Sequence, residues 1–126
     1  MLKQENIFSS FSVDNLEQAK EFYTTVLGLE AKENSMGFIE LEIPGSNNVL
    51  IYPKEDHLPA GYTVLNFPVN NIDEAVDRLA EKGIRFEHYT GSIQTDAKGI
   101  SRSDDMGPDI AWFKDPAGNI LSVLAI

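Results

Sequence analysis

The sequence has no cysteine among its 126 residues, which removes several classes of chemistry. Disulfides, thiolate nucleophiles and cysteine-ligated zinc or iron–sulfur sites are excluded. No apolar run approaches the roughly 20 residues that a membrane-spanning helix needs. The first ten residues carry Lys3 and Glu5 and lack the apolar stretch of a secretion signal. We therefore expect a cytoplasmic protein with no membrane partner.

Basic residues are also scarce. Ten Lys and Arg stand against 20 Asp and Glu, which gives a net charge of −10. Binding to nucleic acid needs a basic surface that displaces counterions, so we expect no nucleic-acid partner. The acidity is typical of a soluble protein. The two histidines, His57 and His88, have no metal-ligand spacing, and we interpret them as surface or structural residues.

The composition is that of an ordinary globular protein. Hydrophobic residues make up 42% of the chain and charged residues 24%. The length suits one domain, which we place at residues 1–126.

An internal repeat organises this domain. The stretch Val13–Lys20 resembles Val69–Val76, and each stretch follows an apolar extended run. Each also leads into a helical pattern that ends at a glycine, Gly28 or Gly83. Repeats of this kind indicate a duplicated structural unit.

The two predicted helices share their start signals. Asn15 and Asn71 are suited to cap the first backbone N–H groups, and acidic residues follow in the first turn. Apolar residues recur at three- and four-residue spacing, as in an amphipathic helix. They are Leu16, Ala19, Phe22, Tyr23, Val26 and Leu27 in the first helix and Ile72, Ala75, Val76 and Leu79 in the second.

Short strand candidates surround each helix, and Glu55–Gly61 separates the two sets. Each set has the order β-α-β-β-β, so we predict an α+β fold with units at residues 1–56 and 61–126. The candidate strands are Ile7–Val13, Leu29–Glu33, Met36–Ile43 and Val49–Pro53, then Tyr62–Val69, Ile84–Tyr89, Ile110–Lys114 and Asn119–Ala125.

Three motifs resemble those of the vicinal oxygen chelate superfamily (glyoxalase/bleomycin resistance protein/dioxygenase). They are Asn15–Tyr23 followed by Leu27–Leu29, then Asn71–Ala75 with Gly83, and the hairpin sequence Ala111–Asn119. The resemblance implies tandem βαβββ repeats that form a curved, incomplete mixed β-barrel. It places the helices on the convex side and a small-molecule pocket on the concave side. Members include glyoxalase I, dioxygenases and drug-sequestering proteins, so the fold alone does not fix a function.

The resemblance also implies where a metal would bind. Metal-dependent members hold a divalent ion with His, Gln or Glu side chains from the first and last strands of each unit. The matching positions here are Phe8, Val64, Ser122 and a residue within Val49–Tyr52. Their side chains offer no imidazole or carboxylate donor for a divalent ion. We therefore expect no metal and no cofactor; the alternative is a relocated site that uses Glu40, Glu42 or Asp56.

Strand alternation predicts the lining of the concave face. An apolar and hydroxyl-rich lining of this kind suits an uncharged or aromatic compound, although the same residues are also able to fill the barrel and leave no cavity. The predicted ligand-binding residues on the strands are Phe8, Ser10, Tyr52, Tyr62, Val64, Asn66 and Ser122.

The long segment Thr90–Asp109 is predicted to be a loop. Loops of this length are often lids over a binding site. We hypothesise that Arg102 closes over an anionic group of the ligand and that Trp112 stacks on the ligand. The alternative is an exposed loop and a core tryptophan.

Three functions remain open from the sequence. The first is a metal-independent protein that binds and sequesters an uncharged or aromatic small molecule, with a homodimer as the expected assembly. The second is a glyoxalase-like lyase or isomerase, or a dioxygenase relative, with a relocated metal site. The third is a structural or regulatory domain without a ligand.

Overall fold

The computed structural model describes residues 1–104 and 106–126. They form two compact units, Met1–Pro59 and Ala60–Ile126, which we call unit 1 and unit 2. Each unit has the element order β-α-β-β-β and one four-stranded mixed sheet. The predicted α+β fold with two βαβββ repeats is therefore confirmed.

Unit 1 contains strands β1 (Ser10–Val13), β2 (Ala31–Glu33), β3 (Ile39–Leu41) and β4 (Val49–Pro53). The sheet order is β1-β4-β3-β2, with β1 parallel to β4 and the other pairs antiparallel. Alternate residues along these strands point to opposite faces, and one face is buried. The buried strand residues are Phe11, Val13, Ile39, Leu41 and Ile51.

The helix of unit 1 changes its winding half-way. Helix α1 (Leu16–Glu21) is capped by Asn15, whose Oδ1 accepts a hydrogen bond from the Gln18 N–H at 3.0 Å. The chain then continues as a π-helical turn over Phe22–Val26. The sequence did not predict this wider turn, because its apolar residues keep the three- and four-residue spacing of an α-helix.

Unit 2 contains β5 (Thr63–Val69), α2 (Ile72–Glu81), β6 (Ile100–Ser101), β7 (Asp109–Lys114) and β8 (Ile120–Ala125). The sheet order is β5-β8-β7-β6, with β5 parallel to β8. Asn71 caps α2 by accepting from the Glu74 N–H at 3.0 Å, and α2 packs on β7 and β8. The core residues of this unit are Ile72, Val76, Ile100, Ala111, Phe113, Leu121 and Val123.

The predicted strand Ile84–Tyr89 is wrong. Only Phe86 pairs with β7, through an isolated bridge to Phe113. Strand β6 pairs with the same edge of β7 further along, with Ile100 opposite Ala111. It lies within Thr90–Asp109, the segment that was predicted to be a loop.

Gly99 allows the chain before β6 to pass close to Phe86 and Glu87. Its φ is +88°, which L side chains rarely adopt, and a Cβ atom there would lie 2.8 Å from the Phe86 Cβ and 3.1 Å from the Glu87 carbonyl oxygen. The chain before β6 therefore lies directly against the residues after α2, which leaves no room for a longer strand at 84–89.

The turn between β7 and β8 forms as predicted. The buried carboxylate of Asp115 accepts hydrogen bonds from the N–H groups of Ala117 (3.0 Å) and Asn119 (2.8 Å). The described residues contain no helix that is long and apolar enough to cross a membrane.

Candidate functional site

Unit 2 contains a cavity of about 480 Å³. Pockets for small molecules generally have volumes of about 300–1,000 Å³. Among residues 1–104 and 106–126, its lining combines aromatic rings, aliphatic groups and hydroxyls and includes no Asp, Glu, Lys, Arg or His. The lining residues are Gly61, Tyr62, Thr63, Tyr89, Thr90, Gly91, Ser92, Ile93, Trp112 and Ile120. It is therefore suited to a ligand without a charged anchor.

The sheet of unit 2 supplies one side of this cavity. Thr63 on β5 is paired with Ile120 on β8, and both residues lie at the start of their strands. Trp112 on β7 alternates with buried Ala111 and Phe113, so its indole lies on the opposite, open face of the sheet. The sequence prediction placed Tyr62 and Trp112 in a ligand site, and the structure brings both to this cavity.

The residues after the second helix supply the opposing side. A lid within Thr90–Asp109 was suggested from sequence, but Tyr89 and the individual residues at 91–93 were not predicted to line the site. The ring of Tyr89 packs edge-on against Trp112, with the ring centroids 5.6 Å apart. Beyond Tyr89 the chain makes a small hairpin, in which Thr90 bridges to Gln94 and the tip at 91–93 faces the cavity. The signal was the Gly91-Ser92 pair, since Gly and Ser together are typical of a turn.

Val64 and Asn66 belong to β5 and Ser122 belongs to β8, but none of the three lines the unit 2 cavity. Ser122 is buried, and its hydroxyl donates to the Asn66 Oδ1 at 2.6 Å. Val64 lies where the pairing of β5 with β8 is irregular. The Ser122–Asn66 pair satisfies a buried hydroxyl within the sheet, so these two residues stabilise the sheet beneath the open face.

Arg102 also lies outside the cavity, directly after β6, where its side chain contacts α2. Its guanidinium donates two hydrogen bonds to the Asp73 carboxylate, both at 2.9 Å, and its Nε donates to Asp96 at 3.1 Å. A guanidinium and a carboxylate match in a bidentate pair, which leaves Arg102 with its charge already balanced. Since it does not line the cavity, the structure does not support a role in closing over an anionic ligand.

The pKa values in this cluster follow from these contacts. The hydrogen bonds from Arg102 and then Lys98 hold the pKa of Asp73 well below its ordinary value, and the Asp73 carboxylate raises the pKa of Arg102. Partial burial raises the pKa of Asp96, but the backbone N–H groups of Ile100 and Lys98 and the Arg102 guanidinium together outweigh it, so the pKa is lowered. The whole cluster therefore stays ionised at neutral pH.

Unit 1 contains a second cavity, of about 390 Å³. Phe8, which is 59% exposed, and Leu50 line it together with Met36. Its polar lining includes Glu40, whose Oε1 accepts from the Asn48 side chain at 3.1 Å. The other polar groups are the side chains of Asn6, Asn34 and Asn47.

The remaining predicted residues of unit 1, Ser10 and Tyr52, line neither cavity. They alternate with the buried residues of β1 and β4, so they lie on the open face of the sheet of unit 1. On the same face the hydroxyl of Ser12 lies 2.7 Å from the His57 Nδ1. His57 therefore has a structural contact, in line with the interpretation from sequence, and His88 contacts the Ala97 carbonyl oxygen at 3.2 Å.

Comparison with known families decides the classification. The sequence profile of the Glyoxalase/Bleomycin resistance protein/Dioxygenase superfamily matches residues 8–123. The chain belongs to this superfamily. The match covers both repeats, so the resemblance inferred from the three motifs is confirmed. Comparison with curated protein sequences finds no significant match.

Solved structures share the fold. A superfamily member from Sphaerobacter thermophilus is 24% identical, with 100% of both chains covered and a TM-score of 0.69. Lactoylglutathione lyase from Agrobacterium tumefaciens is 20% identical, with 98% of this chain and 95% of that chain covered and a TM-score of 0.69. The antibiotic binding protein TnmS3 from a Streptomyces species is 20% identical, with 99% and 98% covered and a TM-score of 0.65. At these identities the similarity establishes the fold and not the activity.

The superfamily raises the question of a divalent metal. At the positions that we predicted to match its ligands, the chain has the phenyl group of Phe8, the isopropyl group of Val64 and the hydroxyl of Ser122, which already donates to Asn66. These groups do not fit a divalent ion, which needs carboxylate or imidazole donors. Within residues 1–104 and 106–126, no three His, Asp or Glu side chains come together as a set of ligands.

Proposed function

We propose that this superfamily member is a metal-independent binding protein that sequesters a small uncharged or aromatic compound. The observation that carries the proposal is the unit 2 cavity. Its lining includes three aromatic residues and lacks carboxylate, ammonium, guanidinium and imidazole groups. Binding there would rest on stacking and apolar burial, with hydroxyls to orient the ligand.

The lining residues have complementary roles in this proposal. The Trp112 indole offers a flat apolar surface on the sheet, and Tyr62, which is 71% exposed, has a ring free to cover a bound molecule. Thr63, Thr90 and Ser92 supply hydroxyls that both donate and accept hydrogen bonds. A planar compound with one or two polar substituents fits this combination.

The name of one structural neighbour is consistent with a binding function, since TnmS3 is described as an antibiotic binding protein. The neighbour from Agrobacterium tumefaciens is a lyase, so the alternative function is a lyase that holds a metal at a relocated site. Among the acidic residues suggested for such a site, Asp56 pairs with Lys54 and Glu40 accepts from Asn48. Both carboxylates are thus engaged by other side chains, and we favour binding over catalysis.

Binding can be tested with Nile red, an uncharged aromatic dye, and then with a panel of uncharged aromatic compounds. Tyr62→Ala should weaken binding by about two- to ten-fold, the value of one aromatic contact. Tyr52→Ala is the matched control, because Tyr52 lies on the open face of unit 1 and lines neither cavity. Equal affinities in wild type and both variants would contradict the proposed site.

Metal independence has its own test. The purified protein should bind the dye with the same affinity before and after treatment with a chelator. Loss of binding after chelation, with recovery on addition of a divalent ion, would favour the relocated metal site.

The expected assembly is a homodimer in the cytoplasm. The chain has a mass of 14.0 kDa, so light scattering should give about twice this value. A monomer at micromolar concentration would contradict the dimer without affecting the proposed cavity.

A further inference from the structure

One wall of the unit 2 cavity belongs to a segment that is attached to α2 by ion pairs. We call residues 89–102 the wall segment. Its tip, at 91–93, lines the cavity, and its first residue, Tyr89, packs on Trp112. Its last residue, Arg102, binds Asp73 in the first turn of α2.

The tip is joined rigidly to the base of its hairpin. The Thr95 N–H donates to the Tyr89 carbonyl oxygen at 3.0 Å, and the Tyr89 N–H donates to the Thr95 Oγ1 at 2.9 Å. Thr90 also bridges to Gln94. These hydrogen bonds connect the tip to the base of the hairpin, so the position of the base sets the position of the tip.

Asp96 follows this base directly and connects it to the ion pairs. Its carboxylate accepts from the N–H groups of Lys98 and Ile100, both at 2.9 Å, and from the Arg102 Nε at 3.1 Å. A single carboxylate therefore holds the turn after the hairpin and orients the arginine.

Two cations of the wall segment then bind α2. Arg102 pairs with both oxygens of Asp73, and the Lys98 Nζ lies 3.0 Å from Asp73 and 2.8 Å from Asp77. These side chains are between one third and two thirds exposed, so salt in the solvent screens their attraction.

We infer that Arg102 and Asp73 are positioning residues for the cavity wall, so that affinity for an uncharged ligand depends on ionic strength although no charge lines the cavity. This inference rests on the proposed function. When the ion pairs weaken, the hairpin is held less firmly, and a ligand has to order the wall on binding. Affinity should then fall without the loss of any direct contact.

The first test needs no ligand. Trp112 is the only tryptophan, and the wall segment covers it through Tyr89, so quenching of its fluorescence by acrylamide reports the position of the wall. We expect Arg102→Ala to raise the quenching constant, because loss of an exposed ion pair raises the ratio of open to closed wall by up to about five-fold, which is the upper limit for the change in quenching. Arg78→Ala is the matched control, since Arg78 also forms an exposed ion pair on α2, with Glu74 at 2.8 Å, and does not contact the wall segment through it.

Salt provides a test without any substitution. Raising sodium chloride from about 0.02 M to about 1 M shortens the screening length from tens of ångströms to about 3 Å. Wild type should then quench at least as strongly as Arg102→Ala does at low salt, and Arg102→Ala should show a smaller further increase, because only its Lys98 ion pairs remain to be screened. The salt experiment on wild type still tests the inference if Arg102→Ala does not fold.

The second test uses Nile red. Its dissociation constant should rise in Arg102→Ala, should rise at least as much in wild type at high salt, and should stay unchanged in Arg78→Ala at low salt. If acrylamide quenching is equal in Arg102→Ala, Arg78→Ala and wild type at both salt concentrations, the inference is overturned whether or not the dye binds. If quenching changes as expected but the dye binds no form of the protein, the proposed function fails and the role of Arg102 in the wall stands.

Discussion

Gly99, in the wall segment, is a position at which a single added methyl group should strongly lower the stability of the fold. Gly99→Ala has two costs that the structure separates. A φ of +88° is unfavourable for an L residue by about 1–2 kcal/mol. The new Cβ would also lie 2.8 Å from the Phe86 Cβ, and relieving such an overlap costs about 1–3 kcal/mol. We therefore expect the free energy of unfolding to fall by about 2–5 kcal/mol.

Gly83→Ala isolates the backbone cost. Gly83 has a similar φ of +91°, but a Cβ atom there meets nothing within 4 Å. This variant should lose only about 1–2 kcal/mol. Urea unfolding followed by circular dichroism measures both values under the same conditions. If the two variants lose the same stability, the close approach of residue 99 to Phe86 does not exist in solution, and our explanation for the missing strand at 84–89 is wrong.

Three further predictions concern the core, a cap and the ion pairs. Leu121→Ala, at a fully buried position, should cost about 2–5 kcal/mol in urea unfolding, and an unchanged midpoint would contradict the described core. Asn71→Ala should cost about 1 kcal/mol by removing the cap of α2, whereas Asn71→Ser should cost much less. Because hydrogen bonds from Arg102 and Lys98 lower the pKa of Asp73 from 3.8, the stability it contributes is present above that pH and is lost as the pH falls through the folded-state pKa. The stability difference between wild type and Asp73→Asn should therefore be constant near neutral pH and shrink in acid, and a difference that persists at low pH would contradict the ion pair.

The repeated elements could be predicted from sequence because their signals are local. The caps at Asn15 and Asn71 and the turn at Asp115–Asn119 depend on hydrogen bonds between residues two to four positions apart. Strand alternation likewise placed Ser10 and Tyr52 on the open face of the sheet of unit 1. The strand at 84–89 was predicted wrongly because β6 occupies part of the edge of β7 that this strand would need. The pairing of β6 with β7 joins residues far apart in the sequence, so no local pattern indicates it.

The candidate site was predictable only in part, for the same reason. Tyr62 was predicted from strand alternation and Trp112 from its place after the long segment Thr90–Asp109, whereas the packing of Tyr89 on Trp112 depends on how the chain folds after α2. The pairing of Arg102 with Asp73 could not be predicted, because the two residues lie 29 positions apart and nothing local in the sequence links them.

The π-helical turn at Phe22–Val26 bears on the relationship between the two repeats. Both helices run from a capping asparagine to a glycine with positive φ, but Asn15 and Gly28 are thirteen positions apart, whereas Asn71 and Gly83 are twelve apart. A π-helical turn accommodates one additional residue inside a helix without moving its ends out of phase. An alignment that matches both the capping asparagines and the glycines therefore contains a one-residue gap, and the π-helical turn is where the structure accommodates the extra residue of the first repeat.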